Sequence, residues 1–402
     1  MAKFDQKTYN DKVFQKYLSK VPNDKLNMYK KSGVLKVNQE LAKKLPDEVG
    51  GNYIVEPIKG LLDGDVINYD GETNLTTTSR KTFEQGKIVV GRAKGWQEKD
   101  FSTDITGARF LPYSGIAQEV REYFDNVDQQ DILAILEGIF SMSDTEGAKF
   151  VRKHTNDISG VGDGCVKAGT LNKTVTKAAG DNKKIFAMAI MHSDVSVDLE
   201  TLQLISYLTY TDKDGIQREL SLATWNGKLV LVDDESPTED VDAVYTKTSD
   251  EALDDTKTYY TRSGSGTTAS PYVYTAVTTP NVSNIGSYYE MTAAAYTKYT
   301  TYILGKGSIE YADCPVKVPS EVARDPETNG GIDKLYTRQR KLYAPKFISF
   351  TKASMAKSSP TVAELKNGAN WVIVNDGDNT SKTYVKDKLI PFARLISRVS
   401  SN

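Results

Sequence analysis

The stretch from Ile185 to Asp234 constrains the fold more tightly than any other part of the chain. Ile185–Met191 is an apolar run of strand length, and His192-Ser193-Asp194 reads as a turn with Ser193 or Asp194 placed to cap a helix. Val195, Leu199, Leu202 and Ile205 recur at helical spacing and predict an amphipathic helix over Val195–Leu208. Trp225-Asn226-Gly227 then closes two strands, the second being Lys228–Val232. A buried strand, a helix and a hairpin in so short a span make an α+β core, and no chemistry is evident among its residues.

The chain of 402 residues has room for two or three domains. Its 51 Lys and Arg against 53 Asp and Glu leave a formal charge of −2, which is not the positive stripe that duplex DNA binding needs. Cys165 and Cys314 lie in sequences without metal-ligand spacing, so two reduced thiols are expected, with no disulfide scaffold or zinc site. Met1-Ala2-Lys3-Phe4-Asp5-Gln6-Lys7 lacks a hydrophobic signal region, and no apolar run is long enough to span a membrane, so a soluble protein used inside the cell is expected.

Residues 1–50 carry scattered aromatics (Phe4, Tyr9, Phe14, Tyr17, Tyr29) among Lys, Asp and Asn and read as an arm that packs on something else. Tyr53–Ile58, Asp65–Tyr69, Leu75–Thr78 and Lys87–Val90 read as strands of an extended hairpin. After Pro112, apolar residues from Ile116 to Phe140 predict one bent helix or two consecutive ones, with a break near Asn126–Gln129 and an end by Ser143. Gly160–Gly169 is a glycine-rich loop and Leu171–Ala179 begins a further helix. Beyond Tyr302, Val316–Val318 and Leu335–Phe350 are strand-like, Thr361–Asn370 is a short helix opened by Pro360, and Leu389–Val399 is a last apolar strand.

Pro237 to about Tyr302 differs in character, holding ten of the 23 tyrosines among Thr, Ser and Gly. It also repeats: Val244-Tyr245-Thr246 recurs as Val273-Tyr274-Thr275, and Tyr259-Tyr260 as Tyr288-Tyr289, both at an offset of 29 residues. Each unit reads as strand, connection, strand, and two units pair into a small β module.

Signals for catalysis are weak. His154 and His192 are the only histidines, and His192 with Asp194 and Asp198 is better read as a strand-to-helix turn than as a metal or proton-transfer cluster. Gly160-Val161-Gly162-Asp163-Gly164 and Gly305-Lys306-Gly307-Ser308 lack both the P-loop ending and the dinucleotide glycine order. Asp376-Gly377-Asp378-Asn379 lacks the spaced ligands of a calcium loop and reads as a turn. Arg80, Lys81, Arg92 and Lys94, interleaved with Glu84, Trp96 and Glu98, have the composition of a protein contact, and Arg80, Lys81, Arg92, Lys94 and Trp96 are the candidate intersubunit residues. Tyr245, Tyr259, Tyr260, Tyr274, Tyr288 and Tyr289 are the candidate exposed residues of the repeat module.

In order along the chain stand Ala189-Ile190-Met191-His192-Ser193, Trp225-Asn226-Gly227-Lys228 leading to Val232-Asp233-Asp234, Tyr302-Ile303-Leu304-Gly305, and Glu321-Val322-Ala323-Arg324-Asp325. Gly330-Gly331-Ile332-Asp333, Ser359-Pro360-Thr361 with Glu364-Leu365, and Asn370-Trp371 complete the set. Taken together, over roughly Asn52 to Arg398, these pieces resemble the major capsid proteins of tailed bacteriophages, which have the Johnson fold shared with herpesvirus capsids. The resemblance implies an α+β chain: an N-terminal arm (1–50), an extended β-hairpin loop with flanking strands (51–110), a peripheral domain with a spine helix (111–154 and 316–402), and an axial domain (155–235 and 300–315). A small all-β, tyrosine-rich insertion with two repeats (236–299) departs from the family.

The function so implied is self-assembly into the icosahedral head shell, as pentamers and hexamers, around double-stranded DNA that is enclosed without sequence-specific binding. No enzyme activity, cofactor, metal or membrane is expected, and the location is the virion, with assembly in the bacterial cytoplasm. The resemblance leaves room for a scaffolding protein, a portal and decoration proteins as partners; it places no Lys–Asn crosslink here. The alternative is a surface adhesin or fibre protein that binds through its tyrosine-rich repeats.

Overall fold

The segment expected to bend or break near Asn126–Gln129 is one unbroken 27-residue helix from Tyr113 to Ile139, about 40 Å long at 1.5 Å per residue. The computed structural model describes residues 24–43, 52–60, 62, 66–74, 77, 80–99, 113–211, 217–249, 252–254, 256–268, 270–328, 331–378 and 382–400. In chain order its first elements are α1 (Asp24–Lys31), β1 (Leu35–Val37), α2 (Gln39–Lys43), β2 (Tyr53–Lys59), β3 (Thr82–Lys99), α3 (Tyr113–Ile139), α4 (Thr145–His154), β4 (Thr155–Asp157) and α5 (Thr170–Ala179). Then come β5 (Phe186–Met191), α6 (Ser193–Thr201), β6 (Ile205–Thr211), β7 (Gln217–Trp225), β8 (Lys228–Val232), β9 (Thr238–Val241), β10 (Val244–Lys247), β11 (Tyr259–Ser263), β12 (Val273–Ala276) and β13 (Tyr289–Ala293). The last are β14 (Tyr296–Gly305), β15 (Ile309–Cys314), β16 (Ser320–Asp325), β17 (Ile332–Pro345), β18 (Ile348–Phe350), α7 (Val362–Lys366), β19 (Trp371–Ile373) and β20 (Phe392–Ser397).

Two large sheets carry the body. The first runs β1-β15-β17-β3-β2, with β16 also on β17. Its long strand β3 changes partner along its length, pairing with β2 over Thr82–Ile88 and with β17 over Val89–Lys99. The second runs β4-β20-β14-β5-β8-β7-β6, with β9 also on β14. Its central strand β5 lies antiparallel to β14 and parallel to β8. Strand geometry sends alternate residues of β5 to opposite faces. Met188 and Ile190 join a core shared with Ile132, Leu136 and Ile139 of α3, while Ala189 and Met191 join a second core under Leu171 and Val175 of α5 and Val195 and Leu199 of α6. Burial on both faces explains why Ile185–Met191 has no polar alternation.

The core beneath α3 also takes Ile88, Val90, Tyr311 and Tyr343 of the first sheet and Tyr302 and Leu304 of the second. The helix is therefore wedged against both sheets. At its N-terminal end Ala117, Val120 and Phe124 pack with Trp96, Val322 and Leu335.

Several expectations need correction. The helix expected over Val195–Leu208 stops at Thr201, because Gln203 turns to φ 54° and the Leu204 N–H bonds back to the Leu199 carbonyl at 2.9 Å. Ile205 then begins a strand instead of a fourth helical contact, so the Asn226-Gly227 hairpin (φ 49° and 74°) joins two of three strands. The helix is capped by His192, whose Nδ1 accepts from Asp194 N–H at 3.2 Å, and not by Ser193 or Asp194. Val316–Val318 is a bend, since Pro315 and Pro319 bracket it and neither can donate to a ladder. Val66–Tyr69 is likewise not a strand, while Asp65 and most of Leu75–Thr78 lie outside the described residues. Most of residues 1–50, with Phe4, Tyr9, Phe14 and Tyr17, also lies outside them; the described part packs on this chain's own body through buried Tyr29, Val34 and Leu41 and the β1–β15 pairing.

The repeats form a sheet of their own in the order β10-β13-β11-β12, including a 3-10 turn at Val282–Ser287 before β13. The first strand of each repeat pairs with the second strand of the other, and Tyr260 faces its own counterpart Tyr289 across the central pair. The arrangement is a pseudo-two-fold. A stem of β9 paired with β14 joins this sheet to the second large sheet.

Gly138 explains how α7 approaches α3. A Cβ there would sit 2.0 Å from the Leu365 carbonyl oxygen and 2.4 Å from Trp371 Nε1, two groups already bonded to each other at 2.7 Å. Gly138→Ala is expected to lower stability in urea unfolding by about 1–3 kcal/mol. Gly160→Ala, in open space, is expected to leave it unchanged.

Candidate functional site

The groups that could carry chemistry are occupied structurally. His154 is buried, with Nδ1 2.6 Å from the Phe392 carbonyl oxygen, a contact that requires Nδ1–H; burial pushes its pKa down. His192 is the helix cap already described. Asp163 pairs with Lys167 at 3.1 Å in the glycine loop, and Asp376 accepts from Thr383 N–H at 3.0 Å as part of a turn. Cys314 is buried, which raises its thiol pKa to about 11, and Cys165 is also free. Among the described residues no group of three or more His, Cys, Asp or Glu is placed to hold a metal.

The feature that stands out is a buried polar seam in the middle of α3. Asp128, Gln129 and Asp131 are 2%, 2% and 1% exposed. Asp128 forms a short ion pair with buried Lys341 of β17 and accepts from Gln339 at 2.9 Å. Gln129 donates to Asp233 at 2.6 Å and to the Tyr29 hydroxyl at 3.1 Å. Asp131 meets Arg92 of β3 at 2.5 Å, and the same guanidinium donates to the Pro360 carbonyl at 2.7 Å. Burial raises the pKa of both carboxyls, and the Lys341 and Arg92 charges pull them back. One helical turn thus reaches the first sheet, the end of β8, α1 and the approach to α7. Its chemistry is positional: it fixes where the helix lies against both sheets. Read in one dimension, Asn126–Gln129 looks like a helix break. The signal available was polar residues at 128 and 131 in helical register with the apolar Phe124, Ile132 and Ile135.

The expected contact residues divide. Arg92 belongs to the seam, and Trp96 packs edge-on against Tyr123 and Phe124 at 5.6 and 6.2 Å, so both are committed within the chain. Arg80 bonds the Gly60 carbonyl at 2.7 Å and Lys81 the Thr383 hydroxyl at 3.1 Å, while their side chains remain exposed, as does Lys94. The six tyrosines divide as well. Tyr259 and Tyr288 are 1% and 5% exposed, which corrects the expectation of exposure. Neighbours on a strand point to opposite faces, and these two turn inward, their hydroxyls accepting from Asp254 N–H at 3.0 Å and Asn281 N–H at 3.1 Å. Tyr245, Tyr260, Tyr274 and Tyr289 share the other face and are half-buried by one another. Tyr245 and Tyr274, from the two outermost strands, reach inward and stack at 4.0 Å. Tyr260 and Tyr289 meet them edge-on. These rings serve as the small sheet's apolar layer.

No family model matches the chain. The major capsid protein of Bacillus phage SPP1 is 26% identical over 351 residues, covering 87% of this chain and 88% of that one. Among solved structures, the capsid of Ralstonia phage GP4 aligns over 92% of this chain and 88% of its own with a TM-score of 0.47 and 7% identity. The capsid of cyanophage Pam1 aligns over 92% and 90% with 0.46 and 12%, and that of Helicobacter pylori bacteriophage KHP30 over 91% and 87% with 0.44 and 11%.

Lys341→Met leaves the Asp128 carboxylate buried without its cation and is expected to cost about 3–5 kcal/mol in chemical denaturation; adding Asp128→Asn restores more than half. His154 makes stability pH-dependent. Its folded pKa lies below the unfolded value, so its contribution is present above about pH 6.5 and is lost as pH falls through that value. The loss approaches about 1.4 kcal/mol per pH unit, and unfolding titrations of His154→Asn are expected to lack this slope just below about pH 6.5.

Proposed function

We infer that this chain is the major capsid protein of a tailed bacteriophage, the subunit that assembles with its own copies into the icosahedral shell enclosing the double-stranded DNA genome. The observation that carries the reading is the relationship to a phage major capsid protein spread over nearly the whole of both chains. It concerns the architecture as a whole and not one shared module. The location is the virion capsid and the role is structural.

The finer parts of this reading draw on the fold. Residues 51–110 serve as the extended loop, 111–154 and 316–402 as the peripheral domain with α3 as its spine, 155–235 and 300–315 as the axial domain, and 1–50 as the arm. Residues 236–299, held on the β9–β14 stem, form an insertion displayed on the outer shell. Arg80, Lys81 and Lys94, exposed along the hairpin, are the contact residues that remain. Pentamers and hexamers are the assembling units, formed in the host cytoplasm, with a scaffolding protein, a portal and decoration proteins as further partners. A charge of −2 suits a wall that encloses DNA without gripping it. Contacts on the order of 1,600 Å² or more, as permanent interfaces require, would be shared among these segments.

Electron microscopy of the expressed chain, with its scaffolding protein if one is required, is expected to show closed shells. A monomer under every assembly condition would overturn the reading. Replacing residues 243–294 by a short linker is expected to leave shell formation intact and remove density from the outer surface, since β9 and β14 keep their pairing.

A further inference from the structure

Asp128 and Lys341 lie 213 residues apart in the chain, and their side chains approach more closely than an ordinary hydrogen bond allows. The two residues are 2% and 6% exposed. Gln339, Lys341 and Tyr343 are alternate residues of β17 and share the strand face under α3. Gln339 Nε2 donates to Asp128 Oδ1 at 2.9 Å, whereas Lys341 Nζ meets Oδ2. The carboxyl oxygens therefore differ: one is held by an amide donor and the other faces an amine. Tyr343 and Tyr311, 1% and 3% exposed with ring centroids 5.4 Å apart, stand close enough to feel the Asp128 charge and shut water out. Burial also pushes the Asp128 pKa up, towards the neutral acid.

We propose that Lys341 and Asp128 condense within the chain into an amide bond between Nζ and Cγ. The ammonium first passes one proton to Oδ2, which leaves a neutral amine against a neutral carboxylic acid. The Nζ lone pair attacks Cγ, and the Gln339 N–H meets the negative charge that develops on Oδ1. The Cγ–Oδ2 bond then breaks, and Oδ2 takes a second proton from Nζ and leaves as water. One ammonium and one carboxylate thus give one amide and one water, with no other reactant. The reacting atoms are already in contact, and two charges that burial penalises disappear. The other buried pairs lack this combination. Arg92 beside Asp131 keeps its proton and is no nucleophile. Lys87 lies between Glu56 and Glu310, whose side chains are 26% and 22% exposed and open to water. The ion pair of the seam is then the reactant state of a bond that ties α3 covalently to the first sheet, whatever the chain assembles into.

Mass spectrometry of the full-length chain, purified folded and then denatured, tests the bond directly. The wild-type chain is expected to weigh one water molecule less than its sequence. Trypsin is expected to release a branched peptide joining residues 122–149 to 341–346, because the amide bond survives denaturation. Lys341→Arg keeps the positive charge without a reactive amine and is expected to have the full mass. Gln339→Leu is expected to slow the condensation about a hundredfold, so that chains harvested soon after induction keep the full mass while wild-type chains do not. A wild-type chain that retains the full mass after prolonged incubation in its folded state would overturn the proposal. So would a lost water that maps to other residues or persists in Lys341→Arg. Neither result bears on shell formation, which electron microscopy reads separately.

Discussion

Three polar side chains on one turn of α3, Asp128, Gln129 and Asp131, hold the rest of the structure in register. Each is almost wholly buried, and each is matched by a group from a different element. Apolar packing alone is tolerant of sliding, because one leucine serves a greasy surface nearly as well as another. A buried carboxylate is not tolerant: displaced from Lys341 or Arg92 it would face the desolvation cost without compensation. The seam therefore specifies the position of the helix against two sheets, whereas the cluster of Ile132, Leu136, Ile139, Tyr302 and Tyr343 supplies most of the burial.

This division of labour suits a shell subunit. A shell subunit must present several distant surfaces in a fixed relation so that contacts with neighbours close instead of drifting. A rigid helix wedged between two sheets provides that relation. The long strand β3, which leaves β2 for β17 midway, carries it out to the extended hairpin. The tyrosine-rich repeat sheet follows another rule. Its sheet has its own aromatic layer, built on a pseudo-two-fold by cross-pairing of the repeats, and it joins the body by the β9–β14 stem. It is attached to the frame without being part of it.

The sequence made some of this legible and hid the rest for identifiable reasons. The strand at Ile185–Met191 and the Asn226-Gly227 turn are local and follow from nearest neighbours, whereas the helix expected over Thr361–Asn370 runs only over Val362–Lys366, with Thr361 as its cap. The repeat was legible because a duplication prints the same pairs twice. The helix end at Gln203 was not, since apolar spacing carries no information about a left-handed residue. The polar stretch Asn126–Gln129 was read as a break because the partners of Asp128 and Gln129 lie 100 to 213 residues away. The inward turn of Tyr259 and Tyr288 was legible in principle, for adjacent strand residues cannot share a face. Which surfaces remain open depends on what tertiary packing leaves uncovered, and no local pattern records that.

The central claim, that the seam locks α3 to both sheets as one cooperative unit, is tested most directly by native-state hydrogen exchange. The amides of Gln129 to Leu136 are expected to exchange in the slowest class, together with those of β5 and β17, and to respond to denaturant with the slope of global unfolding. Exchange of that helical turn by a separate, lower-energy opening, while the two sheets stay protected, would contradict the account.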